Sequence, residues 1–241
     1  MAGGRRASRA AEAAPAWRAL PWLEAAAALA VPVALYLGLV WAPPERVMGD
    51  VQRIMYFHVA AAMTAYLAFG LVAVASAIYL LRGRADWNRA AGAAGEVGVL
   101  FTTLTLLSGS IWARSAWNVW WLWQDARLTT TLLMWFLYAG YLLLRGAAAE
   151  SGGQAGRLAA LYGLLSVAIL PVVHFSVVWW YSNHPQVITP RGIQMAPQMA
   201  LALLAATVAL LLVGAVLFLE RLRLEGLRER VAELEARAER A

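Results

Sequence analysis

The chain has 241 residues, 62% of them hydrophobic and only 14% charged, where a soluble domain runs at roughly 45–50% apolar and about 25% charged. That balance excludes an ordinary water-soluble domain and suits a membrane protein of about six spans. The formal net charge of +6 comes from arginine alone, since no lysine occurs. A Walker A phosphate loop is thereby excluded, and the basic excess reads as attraction to an anionic inner leaflet, with no nucleic acid as partner.

Taken in chain order, the apolar runs predict helices at residues 21–42, 54–81, 91–111, 128–145, 157–180 and 197–219. Each is long enough to cross about 30 Å of hydrocarbon. The expected fold is an all-α integral membrane protein with six transmembrane helices. The first run comes after a basic leader but is too long for a cleaved signal peptide, so it is expected to be an anchor. Pro32 and Pro171 lie inside spans and predict kinks. Gly92, Gly95 and Gly98 put small residues on one face, as close helix packing in lipid favours. Glu96, beside them, is an ionisable group expected to face a partner helix or the interface. Residues 145–157 read as a flexible Gly/Ser/Ala connector.

The last span runs on into an Arg/Glu-rich tail in which Leu224, Leu227, Val231, Leu234 and Ala238 recur three and four apart. That spacing predicts an amphipathic helix, either solvated or docked on a partner. Residues 1–220 thus form one six-helix transmembrane domain with a tryptophan-rich outer loop at 112–127, and residues 221–241 form a tail helix.

Arginine sets the orientation. With the N-terminus inside, fifteen of the 20 arginines lie on the inner side, and only Arg46, Arg53, Arg114, Arg127 and Arg191 lie outside. The positive-inside rule then places both termini in the cytoplasm and the tryptophan loop on the far side. Cysteine is absent, which excludes disulfides, thiolate metal sites and covalent haem attachment through this chain.

The chemistry gathers at the outer end. His58 sits about one turn into the second span, His184 comes after the fifth span in WWYSNHPQ, and His174 lies deeper, where it is expected to pack or hydrogen-bond within the bundle. Two imidazoles on different helices, on one side of the membrane, suit the two axial positions of a haem iron. The iron-binding nitrogens would then lie about 4 Å apart.

Five tryptophans crowd the loop between the third and fourth spans: Trp112, Trp117, Trp120, Trp121 and Trp123. Eight outer tryptophans stand against three inner ones, which an even interfacial belt does not explain. If the loop is helical, Trp117, Trp120 and Trp121 share a face and form a shelf for a flat macrocycle. Asp125 stands where a helix begins and reads both as an N-cap and as part of that shelf. Arg127 and Arg114 stand at its rim, able to clamp a propionate or to snorkel to lipid phosphate.

No G-x-S-x-G, H-E-x-x-H or paired outer acids occur, so binding rather than enzymatic chemistry is expected. Two other readings stay open: a bis-His b-type membrane cytochrome passing electrons, and a transporter subunit without haem whose tryptophans only anchor it.

Long stretches resemble one family. WAPPERVMGDVQRIMYFHVAAAM, GEVGVLFTTLTLLSGSIW, WNVWWLWQDARLT and PVVHFSVVWWYSNHPQ are similar to the cytochrome c maturation proteins of the CcmC family, haem-handling proteins with a tryptophan-rich WWD loop. The resemblance implies non-covalent haem b at the outer face of the inner (cytoplasmic) membrane. It implies His58 and His184 as axial ligands, and Trp117, Trp120, Trp121, Trp123, Asp125 and Arg127 as the haem shelf. It also implies partners: a CcmE-like haem chaperone, CcmA/CcmB-like ABC transporter subunits and a small CcmD-like subunit. The chain departs from the family pattern at Asn118 for a glycine, at Gln124 as an insertion before Asp125, and at Ala60 and Ser115 for prolines. In a helical loop the insertion would rotate the residues after it by about 100°, parting Asp125 from the tryptophans.

Overall fold

The computed structural model describes residues 14–239 except 152, 186, 187, 190, 191 and 194. Arg5, Arg6, Arg9, Arg191 and Arg240, part of the charge pattern above, lie outside the described residues. The described chain is helical apart from its connections and a ribbon of two-residue strands, β1 (Ile188–Thr189) and β2 (Gly192–Ile193). Six helical segments are long and apolar enough to cross a membrane, at Arg18–Trp41, Asp50–Arg82, Ala85–Trp117, Ala126–Ala147, Ala155–Trp179 and Pro197–Arg228.

Helix α1 (Ala14–Tyr36) contains Pro21 and Pro32 and widens into one π-helical turn, Leu37–Trp41. Gly38 in that turn lies against the rings of Tyr56 and Phe57, where an added Cβ would meet Phe57 at 3.2 Å. Helix α2 (Arg53–Arg82) stops at Gly83, whose left-handed backbone (φ 66°) lets its N–H donate to the Tyr79 carbonyl at 2.8 Å. Helix α3 (Ala85–Trp117) returns antiparallel and forms the central packed pair with α2.

Helix α4 (Ala126–Ser151) and helix α5 (Gly153–Ser166) come next. The connector expected to be flexible is helical up to Ser151 and again from Gly153, since its alanines sustain a helix that its glycines alone would not. The fifth span is broken. Helix α5 ends at Ser166, the chain turns through Val167 and Ala168, and helix α6 (Ile169–Trp179) continues outward. Pro171 explains the break, because its ring nitrogen has no hydrogen for the Val167 carbonyl. Helix α7 (Pro197–Ala238) is 42 residues long, about 63 Å at about 1.5 Å per residue, so roughly half of it extends beyond the hydrocarbon.

Two cores surround the α2–α3 pair. On one side Phe69, Val72, Phe101, Tyr138 and Tyr141 interlock α2, α3 and α4, with Ile169 and Val173 of α6 closing the cluster. On the other, alanines let α1, α2 and α7 approach closely through Ala34, Ala60, Ala202 and Ala206. The glycine face behaves as its spacing predicts. A Cβ at Gly95 would meet the Tyr141 ring at 2.7 Å, and one at Gly98 would strike Phe69. Glu96 pairs with Arg221 of α7, at 2.5 Å from Nε and 2.8 Å from Nη2, tying α3 to the last helix. The tail beyond it leaves Leu224, Leu227, Val231 and Leu234 exposed.

Alternation of direction brings the ends at Trp41, Arg53, Trp117, Ala126, Trp179 and Pro197 to one end of the bundle. His58, His184 and the tryptophan loop lie at that end.

Candidate functional site

His58 lies on the second turn of α2, pointing toward α3. Its Nδ1 is 3.1 Å from the Ser108 hydroxyl oxygen. With that hydroxyl donating to the Leu104 carbonyl at 2.6 Å, the tautomer that satisfies the pair is the one with the proton on Nδ1. The lone pair is then left on Nε2. Gly109 makes room for the ring, since a Cβ there would meet His58 Cε1 at 2.9 Å.

His184 reaches the same place from an extended segment after α6. Its Nδ1 lies 3.1 Å from the Pro185 carbonyl, which accepts but cannot donate, so Nε2 is again the bare nitrogen. Burial pushes the His184 imidazole down to about 4, and the Arg127 guanidinium pushes the same way. The ring is therefore neutral at physiological pH, the form that binds metals.

The two imidazoles meet. Their ring centroids are 6.0 Å apart and their planes are inclined by 33°. Axial nitrogens on one iron stand about 4 Å apart, and each centroid lies about half a ring further out, so the centroid separation is compatible with such a pair.

Beneath and beside them lies a cavity of about 610 Å³, within the range of small-molecule and cofactor sites. Its walls are apolar, with His58, His184, Trp112, Trp117, Trp121 and Arg127 among the lining residues. Trp112 lies 5.2 Å edge-on to Trp117 and 6.2 Å from His184, measured between ring centroids. Arg127 donates from Nε to the Ser176 hydroxyl at 3.2 Å and from Nη2 to the His174 carbonyl at 2.8 Å. Among the described residues no carboxylate comes within ion-pairing distance of it, so a cation with unused N–H donors faces an apolar cavity. The Nε1–H groups of Trp112 and Trp121 and the Tyr66 hydroxyl also lack partners among the described residues. Two free imidazole nitrogens, flat indoles and a guanidinium without a direct ion pair fit an iron macrocycle bearing carboxylates.

Other expected site residues fall elsewhere. The tryptophan loop is not helical: α3 ends at Trp117, and Asn118 takes a left-handed conformation at φ 59°. The shared face expected of Trp117, Trp120 and Trp121 is therefore broken. Trp117 and Trp121 line the cavity, while Trp120 is 60% and Trp123 71% exposed. Asn118 stands where the related pattern has glycine because both residues tolerate that conformation. The extra Gln124 falls in the turn at Trp123–Gln124 rather than in a helix, so it rotates nothing.

Arg114 is turned away from the cavity. It donates to the Asn118 carbonyl and side chain at 2.5 and 2.8 Å and sits 6.0 Å over the Trp120 ring. Asp125 is fully buried but does not line the cavity. It caps α4, accepting from the amides of Arg127 at 3.0 Å and Leu128 at 3.3 Å. His174, expected to pack within the bundle, is exposed and lines the cavity, its ring edge-on to Phe175; the break before α6 turns it there. Sequence reasoning missed Ser108 and Gly109, for which the S-G-S run shortly before Trp112 was the available signal.

Comparison with known proteins adds a family. The profile described as Heme exporter protein C matches residues 6–237. The chain is 36% identical over 204 residues to Heme exporter protein C of Escherichia coli strain K12, covering 85% of this chain and 82% of that protein. It is 34% identical over 220 residues to Heme exporter protein C of Bradyrhizobium diazoefficiens, covering 90% and 82%. A putative cytochrome c biosynthesis ccmC-like mitochondrial protein of Arabidopsis thaliana is 31% identical over 193 residues, covering 80% and 72%.

Proposed function

The chain belongs to the Heme exporter protein C (CcmC) family, and from that premise we propose that it binds haem b non-covalently and passes it to a CcmE-like chaperone during cytochrome c maturation. The observation that carries the reading is the 6.0 Å approach of His58 to His184 at the head of an apolar cavity. Both imidazoles spend Nδ1–H on a protein oxygen, which fixes the tautomer and raises the basicity of Nε2.

Each element has a part. His58, on a rigid helix, and His184, on an extended segment, hold the iron from opposite faces. Trp112, Trp117 and Trp121 cover the macrocycle and exclude water. Arg127, whose guanidinium makes no direct ion pair among the described residues, meets a propionate. Haem is cargo here: no thiol is present to trap it, so covalent capture falls to the recipient. An axial ligand carried by an extended segment gives a partner's ligand a route to replace it without unfolding a helix.

The arginine asymmetry supports an inner-membrane setting with both termini cytoplasmic and the haem site extracytoplasmic. CcmA/CcmB-like ABC subunits and a CcmD-like small subunit are the proposed complex, and any ATP hydrolysis belongs to them.

The test is to purify the protein with haem supplied and compare absorption spectra of wild type, His58→Ala and His184→Ala. A low-spin bis-imidazole spectrum lost in each variant is expected; unchanged spectra in both would remove the assignment. Haem that cycles with quinol but never reaches a chaperone would favour an electron-carrying cytochrome instead.

A further inference from the structure

Asp125 is a fully buried acid in a membrane protein, and the cavity does not use it. Capping the first turn of α4 occupies only part of its capacity. Its two oxygens also accept the Ser182 hydroxyl, at 3.0 Å each, and Oδ2 accepts the Asn183 amide at 2.7 Å. Having donated to Asp125, the Ser182 oxygen accepts the His184 amide at 3.1 Å. Beside these bonds the Ala126 amide donates to the Tyr181 carbonyl at 3.2 Å. One carboxylate therefore holds the start of α4 and the segment that carries His184.

We propose that Asp125 is a positioning residue that sets the reach of His184 through Ser182 and Asn183 and does not touch the macrocycle. This rests on the haem reading of the cavity. His58 needs no such device, because its helix fixes its backbone. The His184 segment, from Trp180 to Pro185, has no helix or strand pairing of its own, and its backbone is held by α4 through the bonds just given. A carboxylate that accepts several hydrogen bonds in a dry setting is a strong anchor. The same arrangement makes the carboxylate the natural point of control: loosening it frees one axial ligand and leaves the other in place.

The tether and direct contact with the macrocycle predict different outcomes. The experiment uses the full-length protein in lipid nanodiscs, titrated with ferric haem. Ser182→Ala removes the link to the His184 amide while leaving the cap on α4, so it guards against a fold defect in Asp125→Ala. Both variants are expected to lose about 10–100-fold in haem affinity, as outer-shell changes at metal sites do. Their spectra should shift toward that of His184→Ala, and added imidazole should restore the low-spin form by filling the vacated axial position. Combining either change with His184→Ala should cost nothing further, the signature of residues that act through one another. An additional loss in the Asp125→Ala/His184→Ala double variant would overturn the proposal, as would a wild-type spectrum in Ser182→Ala. A readout without haem separates this failure from failure of the haem reading: the His184 amide, which donates to the Ser182 hydroxyl oxygen, should exchange hydrogen faster in Ser182→Ala than in wild type. Unchanged exchange would also overturn the tether, whether or not haem binds.

Discussion

Ser108 and His58 are joined by a 3.1 Å hydrogen bond between neighbouring helices, which favours the tautomer with Nε2 free. The serine hydroxyl is already committed to the Leu104 carbonyl, so it receives the Nδ1 proton and turns Nε2 into the available ligand. Replacing it with alanine leaves the ring in place but removes the hydroxyl acceptor. Ser108→Ala is expected to weaken haem binding by about 10–100-fold with helix content unchanged. Haem titration beside circular dichroism checks it; full affinity in the variant would mean that the tautomer is set by another group.

Gly109 carries a harder constraint. A methyl group there would stand 2.9 Å from His58 Cε1, closer than real contacts allow, with the ring held between two helices. Gly109→Ala should displace the imidazole and abolish the low-spin spectrum, while the purified protein remains monodisperse and helical. Normal ligation in Gly109→Ala would show that α2 and α3 can part at little cost.

Much of this was legible in the sequence, for physical reasons that differ from residue to residue. The spans could be read from hydrocarbon thickness, and His58 and His184 stood out because imidazoles beside apolar runs are few. The cavity-lining Trp112, Trp117 and Trp121 were visible as composition, but which indoles face inward was not. That depends on the left-handed residue Asn118, which ends α3 and discards the helical register. Asp125 read both as a cap, which it is, and as part of the shelf, whose cavity it does not line, while its hold on Ser182 and Asn183 spans nearly sixty positions that no periodicity connects. The exposure of His174 escaped for the same reason, since no local pattern marks it.

The loop geometry makes a selective prediction about the tryptophans. Trp121 lines the cavity, whereas Trp120 and Trp123 are largely exposed. Trp121→Ala should cost about two- to tenfold in haem affinity, from the about 0.5–1.5 kcal/mol that ring packing contributes beyond area. Trp120→Ala and Trp123→Ala should change it less than twofold. Equal losses in all three, measured by haem titration, would mean that the loop refolds around the ligand.

Arg127 should discriminate by charge. It faces the cavity without a carboxylate partner among the described residues, so its contribution requires an anionic edge on the ligand. Arg127→Gln is expected to reduce affinity for haem but not for haem dimethyl ester, which has no carboxylates. Competition between the two ligands in wild type and variant reads this directly. A parallel loss for both would assign Arg127 to holding α6, through Ser176 and His174, rather than to the ligand.

His184 gives the site an acid limit. Its imidazole titrates at about 4 in the folded protein against about 6.5 when exposed, because burial disfavours the charged form. The unfolded chain therefore takes up a proton first as pH falls through about 6.5, and the folded state loses stability from there down to about 4, where the folded ring also protonates. Above about 6.5 both forms are neutral and this contribution is constant. Within the folded protein the ligand nitrogen remains available across the whole interval, so haem should stay bound at pH 5 and be released only near pH 4 or below, where protons compete with iron for Nε2. Spectral titration with haem, paired with the chemical shift of the His184 ring in the haem-free protein, gives both midpoints. Release near pH 6.5 would place the ring in water and contradict its burial beside Trp112 and Arg127.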